Sequence, residues 1–472
     1  MMSEQKYKQQ RLIAVTMESL MPQDHFLRKL DETVDMSFIY DVMRPLYGMR
    51  GRPSIDPVVL VKMLLIGYLY GIDSERKLEQ EIRVNIAYRW YLGLDLEERV
   101  PDHSTLSQNR RRRLKGNAIF EEIFLRIVRM CMDCGLVSGE SIAMDSTHVK
   151  ANADNNKRET VTVMQEPRAY LKKIEADVCA LEAEKSSGKK RGAKPKQKNL
   201  DVRETEEVKS PADPDCGMLA RPGKPKGFHY LCHQSADTKS GIITDIHVTA
   251  GNRNDHECCA DRIKEQVSRG LAVKEFVGDK AYDVVEIHHS LTEMGILVYT
   301  AERPVNEGFR RSGIAVDQFL FDKEKNSYVC PGGEVLALSY YAREHGQIFA
   351  VYQSSERACK KCPHRPICFS ATRKTRKLRR LYGVEYMEAS RKLTGTKRYQ
   401  YLQRRRRVVC EGNFAYMKDN SNLRRTRKRG LENATEHCLL CAIALNLRKL
   451  VKQTGYSSPY FFVDSLIILF FR

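Results

Sequence analysis

The sequence predicts a mixed α/β protein with a helical domain in front of it. Three observations carry this. Short apolar runs that read as strands alternate with helical patterns between residues 141 and 300, the order of a mixed sheet with helices on its faces. Residues 22–116 read as helical throughout. The chain has 472 residues, enough to bury a sizeable core in roughly two to four structural units.

The elements follow in order. The run from Pro57 to Tyr70 is almost wholly apolar, so its helix should be buried on most sides. Pro57 suits the first turn and Asp56 the cap. Ser74 caps a second helix, and a third over Asn85–Leu92 holds the single tryptophan, Trp90. After Pro101, Asp102 or Ser104 can cap a helix whose body carries Arg110, Arg111, Arg112 and Arg113. Short helices ending in a basic one resemble a helix-turn-helix layout; a plain bundle with a solvated basic face fits equally well. A helix over roughly 117–135 leads to a strand, Ser141–Met144, that should end at Asp145. Residues 155–222 break the pattern and read as an insertion without its own core. Its helical part is charged, and its segment SSGKKRGAKPKQK is expected to be mobile. Strands Phe228–Ala236 and Ile242–Ala250 flank a turn of hairpin composition. A helix near 255–268 follows, then strand Glu275–Val277 before Asp279, a helix over about 284–294, strand Leu297–Thr300, and later a long basic helix.

Net charge is +20, which favours a polyanionic partner. The opening MMSEQKYKQQRL lacks an apolar h-region, so no signal peptide is expected. No run of 18 clean apolar residues predicts a membrane span. The apolar end, residues 457–472, is short and contains Asp464. The 14 cysteines are then expected to be mostly reduced. Four are patterned. Cys330, Cys359, Cys362 and Cys368 stand as C-x28-C-x2-C-x5-C among Pro and Gly turns. Four thiolates so placed suit a structural Zn²⁺ in a ribbon-like insert, with His364 as a substitute ligand. Cys131 and Cys134 have no second pair nearby and read as helix-end packing. His288 and His289 read as surface residues.

Three acids stand out. Asp145 and Asp279 each end an apolar strand, where ligands of mixed sheets collect; each could equally cap the turn that follows. Glu411 sits in a basic helical stretch. At spacings of 4 and 7, Arg404, Arg407, Glu411 and Lys418 share one α-helical face. An acid among cations can hold Mg²⁺ or Mn²⁺ while its neighbours bind phosphate.

These segments resemble the DDE transposases of bacterial insertion sequences. DSTHVKANA resembles the first-Asp motif and FVGDKAYD the second. Arg407, Glu411 and Lys418 match the family's Arg-x3-Glu-x6-Lys signature. GIITDIHVTAGNRNDHECC and the closing RRTRKRGLENATEHCLLCAIALNLRKLV are similar to further parts of the core. The front end resembles the amino-terminal domain of the eleven-eighty-two-type branch. The tyrosine that some relatives carry three residues before the Arg is Arg404 here. The resemblance implies a ribonuclease-H-like core with Asp145, Asp279 and Glu411 as catalytic acids holding two Mg²⁺ (or Mn²⁺). It implies cutting and joining of double-stranded DNA at the element's terminal inverted repeats and at target DNA, by a homodimer of cytoplasmic, nucleoid-associated protein. The implied layout is a DNA-binding or dimerisation domain over 22–116, a first core part over 117–311, a zinc-ribbon insert over 312–370, a second core part with the Glu411 helix over 371–456, and the apolar tail. A metal-dependent nuclease without strand transfer, or a non-catalytic zinc-containing DNA-binding protein, would share parts of this pattern.

Overall fold

The computed structural model describes residues 14–48, 54–116, 118–165, 169–186, 203–221, 223, 226–303, 314–344, 347–370 and 372–454. The stretch 187–202, which holds most of the segment expected to be mobile, and the apolar tail 457–472 lie outside them.

The front of the chain is helical: α1 (Met17–Leu20), α2 (Phe26–Thr33), α3 (Phe38–Met43), α4 (Pro57–Leu69), α5 (Glu75–Val84), α6 (Ile86–Leu92), α7 (His103–Asn109) and α8 (Ile119–Asp133). A π-helical turn over Arg110–Leu114 extends α7. The caps fall where the sequence places them. Asp56 accepts from the Val58 and Val59 amides, Ser74 from Lys77, and Asp102 from Ser104. Each removes an orphan amide of a first turn.

A mixed sheet follows. Its strands are β1 (Ser141–Lys150), β4 (Gly217–Leu219), β5 (Gly227–Asp237), β6 (Ile243–Ala250), β7 (Glu275–Gly278) and β8 (Leu297–Thr300), with β2 (Glu159–Gln165) and β3 (Arg203–Lys209) pairing separately as an antiparallel ribbon. Spatial order is β6-β5-β1-β7-β8, and β4 pairs with the start of β5. β5 is antiparallel to β1 and β6, whereas β1, β7 and β8 are parallel. Helices α9 (Ala169–Ser186), α10 (Cys259–Ser268) and α11 (Val285–Glu293) interrupt these strands.

A second sheet has the order β13-β12-β11-β10-β9: β9 (Leu320–Asp322), β10 (Ser327–Val329), β11 (Val335–Glu344), β12 (Gln347–Gln353) and β13 (Lys377–Leu381). Short helices α12 (Glu356–Lys361) and α13 (Arg365–Cys368) lie between β12 and β13. The chain closes with α14 (Val384–Arg391), α15 (Lys397–Arg406), a π-helical turn over Arg407–Glu411, α16 (Gly412–Asn420) and α17 (Leu431–Thr454). α17 packs against α4, α8 and β6, so one apolar core runs from the helical domain into the sheet. Among the described residues no helix is long and apolar enough to cross a membrane.

Three expectations are corrected. β1 does not stop at Asp145 but continues through polar residues to Lys150, because β5 pairs with it along its whole length, from Ile142↔Asp237 to Lys150↔His229. The helix of the 155–222 insertion, read as having no core of its own, packs on the second sheet: Ile174 and Val178 of α9 are buried with Tyr341, Ile348 and Tyr352, and Arg343 pairs with Glu175 and Glu182. That sheet runs on to Leu381, past the expected limit at 370. His288 and His289 are buried, not on the surface, because α14 covers α11. His288 lies between Asp283 and Ser390, and His289 stacks on Tyr386.

Candidate active site

Alternate residues of a strand share a face, so Ala143, Asp145 and Thr147 of β1 look the same way. Ala143 packs with Val277, Tyr299, Leu402 and Cys410, which puts α15 and its π-turn over this face. Gln403 anchors α15 by donating to the carbonyls of Gly278 (3.1 Å) and Tyr299 (3.0 Å). Gln234 of β5 donates to the Cys410 carbonyl at 3.1 Å. Gly278 is required here: a Cβ would lie 2.8 Å from that of Tyr282.

The parallel ladder between β1 and β7 ends at Ala143↔Val277. Asp145, still within β1, and Asp279, the first residue past β7, each stand two residues beyond it. Both are extended beyond a common register, so they leave the sheet at one level and on one face. One oxygen of Asp279 accepts the Ala281 amide at 2.8 Å. Asp145 accepts the Ser146 amide (2.8 Å) and the Arg406 guanidinium (2.7 Å). Burial pushes the Asp145 carboxyl up to about 6. Arg406 and the Ser146 amide oppose that shift, and the nearby charges of Asp279 and Asp255 add to it.

Glu411 joins this group through Arg406. The same guanidinium lies 2.7 Å from Asp145 and 4.0 Å from Glu411. Arg406 is only 9 % exposed, whereas the Glu411 side chain is 63 % exposed and open to a ligand. Arg404 and Arg407 are exposed on the helix surface. Lys418 lies further along and donates to Thr147 Oγ1 at 2.6 Å. Passing from α15 to α16, Leu402, Arg406 and Lys418 thus meet Ala143, Asp145 and Thr147 in turn.

The sequence reading missed two residues here. Arg406 stands five positions before Glu411, a spacing that splits across an ordinary α-helical face. The π-turn adds a residue to one turn and brings the two side chains together. Asp255, beyond β6, accepts the Ser146 hydroxyl and adds its charge to the site. Its only sequence signal was a loop acid in GNRND.

Arg110 is corrected as a phosphate ligand. It is 8 % exposed and is paired with Glu75 and Glu436, so it ties α5 to α17. Arg111 and Arg112 are exposed. Arg113 bonds Ser54 and lies over the Tyr47 ring.

The four patterned cysteines line one cavity of about 200 Å³. The Sγ atoms of Cys362 and Cys330 lie 3.3 and 3.6 Å from one point beside Gly332, and a ring carbon of His364 lies 3.7 Å from it. The Glu334 amide donates to Cys330 Sγ at 3.3 Å, and Ser354 Oγ lies 3.0 Å from Cys359 Sγ. Burial raises the Cys368 thiol; Arg376 opposes this, and the other three cysteines add to it. Among the described residues, the set of three possible ligands with atoms all within 4.8 Å of one another is elsewhere, at Glu79, Asp102 and His103. Those atoms are already used. Glu79 takes the His103 amide and ring and pairs with Arg83, while Asp102 caps α7.

Comparison with known proteins bears on both ends of the chain. A transposase domain model (DUF772) matches residues 15–112, and a transposase DDE domain model matches residues 329–451. The second takes in the cysteine cavity, Arg406, Glu411 and Lys418. No curated protein matches. A solved piggyBac transposase synaptic complex with hairpin DNA is similar at 10 % identity over 92 % of this chain and 82 % of that one; its TM-score of 0.28 is too low to support an argument. With a transposase domain in front and a transposase DDE domain behind, the chain carries the two matched parts of a DDE transposase.

Proposed function

We propose that Asp145, Asp279 and Glu411 are the catalytic acids of a ribonuclease-H-like core that cuts and joins DNA at the ends of its own element. The observation that carries this is the meeting of Asp145 and Glu411 at Arg406, with Asp279 level with Asp145 on the next parallel strand. Three antiparallel strands, β1, β5 and β6, followed by two that run parallel to β1, with Asp145 on β1 and Asp279 at the end of its neighbour β7, fit such a core. The donor set suits Mg²⁺ or Mn²⁺: it is made of hard carboxylate oxygens, and burial holds the Asp145 carboxyl up even beside Arg406, so further positive charge would be favourable there. Two such ions, when bound, activate a water or a DNA 3′-hydroxyl for in-line attack and steady the leaving oxygen.

The chain's own residues supply the rest. Arg406 holds Asp145 and draws Glu411 to it. Gln403 fixes the helix against the strand ends. Lys418, held by Thr147, offers positive charge to a phosphate. Asp255 orients Ser146, whose amide fixes one oxygen of Asp145. Positioning and charge stabilisation of this kind serve phosphoryl transfer without a covalent enzyme–DNA intermediate. Glu411→Gln should bind labelled duplex with wild-type affinity yet fail to nick it or join its 3′-end to target DNA in Mg²⁺. Nicking at the wild-type rate would overturn the assignment. Nicking by the wild type without any joining would reduce the chain to a nuclease.

The eleven-eighty-two-type front end, with Arg111 and Arg112 exposed, is read as the part that contacts the terminal inverted repeats in a homodimer. Cys330, Cys359, Cys362 and Cys368 are read as the ligands of one structural Zn²⁺. Four sulfurs around one cavity, one of them held by a backbone amide, support this. Purified protein should contain about one zinc per chain. Cys362→Ser should lose it and melt at lower temperature; zinc-free protein of unchanged stability would refute the site.

A further inference from the structure

We infer that the loop Arg424–Arg429, bound edge-on to the end of β1, is a preformed track for the phosphate backbone of the DNA flanking the cut; this rests on DNA being the substrate.

Five of its six residues are cationic. A run of charge is usually a solvated face, but this one is fixed by its backbone. The Lys150 amide donates to the Arg424 carbonyl at 3.1 Å, and the Thr426 amide donates to the Lys150 carbonyl at 2.9 Å. The Asn152 side chain donates to the Arg427 carbonyl at 2.6 Å, and the Gly430 amide donates to Asp213 at 3.0 Å. The loop therefore extends the edge of the strand that carries Asp145. Thr426, with its hydroxyl near the Lys150 carbonyl, is buried, which turns its neighbours outward.

Not all of the charge is neutralised. Arg424 pairs with Asp419, Arg427 with Asp73, and Lys428 lies 3.9 Å from Glu75. Arg425 and Arg429 bond neutral oxygens of Asn152 instead, at 3.3 and 3.2 Å. Both are exposed. Two fixed guanidiniums thus face solvent with their charge intact. Arginine in that state suits the bidentate contacts of phosphate.

The track begins at the acidic site. Along β1 lie Asp145, then Thr147 with Lys418, then Lys150 with the loop. Five residues of strand span roughly 17 Å at about 3.4 Å each. DNA advances about 3.4 Å per phosphate along a strand. Arg425 and Arg429 would then meet the backbone about five phosphates from the one being cut.

The test is the salt dependence of binding to a labelled duplex, with full-length protein, beside Mg²⁺-dependent nicking of the same duplex. Arg425→Gln/Arg429→Gln should bind roughly tenfold more weakly and lose about 2 from the slope of log K against log salt. Its melting temperature should stay at the wild-type value. If the double variant melts early, Arg425→Gln alone is measured and should lose about 1 from the slope. Wild-type affinity and slope in the variant overturn this inference alone. Weaker binding with an unchanged slope also overturns it, since the loop would then act on shape and not on phosphate. A wild-type protein that neither binds nor nicks the duplex overturns the functional reading beneath it.

Discussion

Arg406 is the residue on which the acidic site closes. It is buried, it touches Asp145, and it reaches Glu411. Its loss leaves a buried carboxylate without its cation, which typically costs about 3 kcal/mol or more. Arg406→Gln should therefore melt at lower temperature in EDTA, and millimolar Mg²⁺ should restore more stability to the variant than to the wild type. Equal Mg²⁺ responses in the two proteins would mean that Arg406 and the metal do not share the same carboxylates. At this scale the sequence was only half legible. Asp145, Asp279 and Glu411 could be singled out as candidates because each breaks an apolar or basic context. Arg406 was hidden because helical-face arithmetic selects Arg407. Arg110 was grouped with its neighbours because adjacent arginines look alike until Glu75 and Glu436 close on one of them.

Elements with a clear local signal were legible: β5 and β6 flank a turn of hairpin composition, and α4, α5 and α7 carry their caps. Others depend on contacts the sequence does not display. β1 continues past Asp145 through Ser-Thr-His because β5 supplies the hydrogen bonds, not because those residues favour a strand. His288 and His289 are polar in sequence but lie under α14. Burial of His437 in α17 has a measurable consequence. Its ring bonds Tyr68 of α4 and the Asn422 carbonyl. Burial, with Arg110, Arg427 and Lys428 near it, lowers its pKa from 6.5 to about 4, despite the Asn422 bond. Above pH 6.5 both folded and unfolded chains hold it neutral, and its contribution to stability is full. As pH falls from 6.5 towards 4 the unfolded chain takes the proton first, so stability is lost, on the order of 3 kcal/mol in all. His437→Gln should flatten the stability curve across that window, as measured by urea unfolding at fixed pH steps. A parallel curve for wild type and variant would place the acid sensitivity elsewhere.

Across the whole molecule, the helical domain and the sheet share one core, and α17 is their common wall. Arg110 is its polar rivet. Arg110→Ala leaves Glu436 and Glu75 with only the more distant Lys428 near them and should cost about 3 kcal/mol, with DNA affinity unchanged at temperatures where the protein is folded. Arg111→Ala should do the reverse, keeping stability and lowering the salt slope by about 1. Swapped outcomes would reverse the roles given to these neighbours. The division of the chain was readable from composition, but its union was not, since nothing in α17's sequence says which surfaces it joins. That union also sets a timetable for synthesis. About 360 residues separate the end of α4 at Leu69 from the start of α17 at Leu431. A ribosome adding roughly 5–20 residues per second leaves the apolar α4 waiting about 20–70 s for its partner. Through that interval α3, α5 and α6 can pack on α4 but the side that α17 covers stays open, and the nascent chain's safe passage depends on whatever attends the exit tunnel.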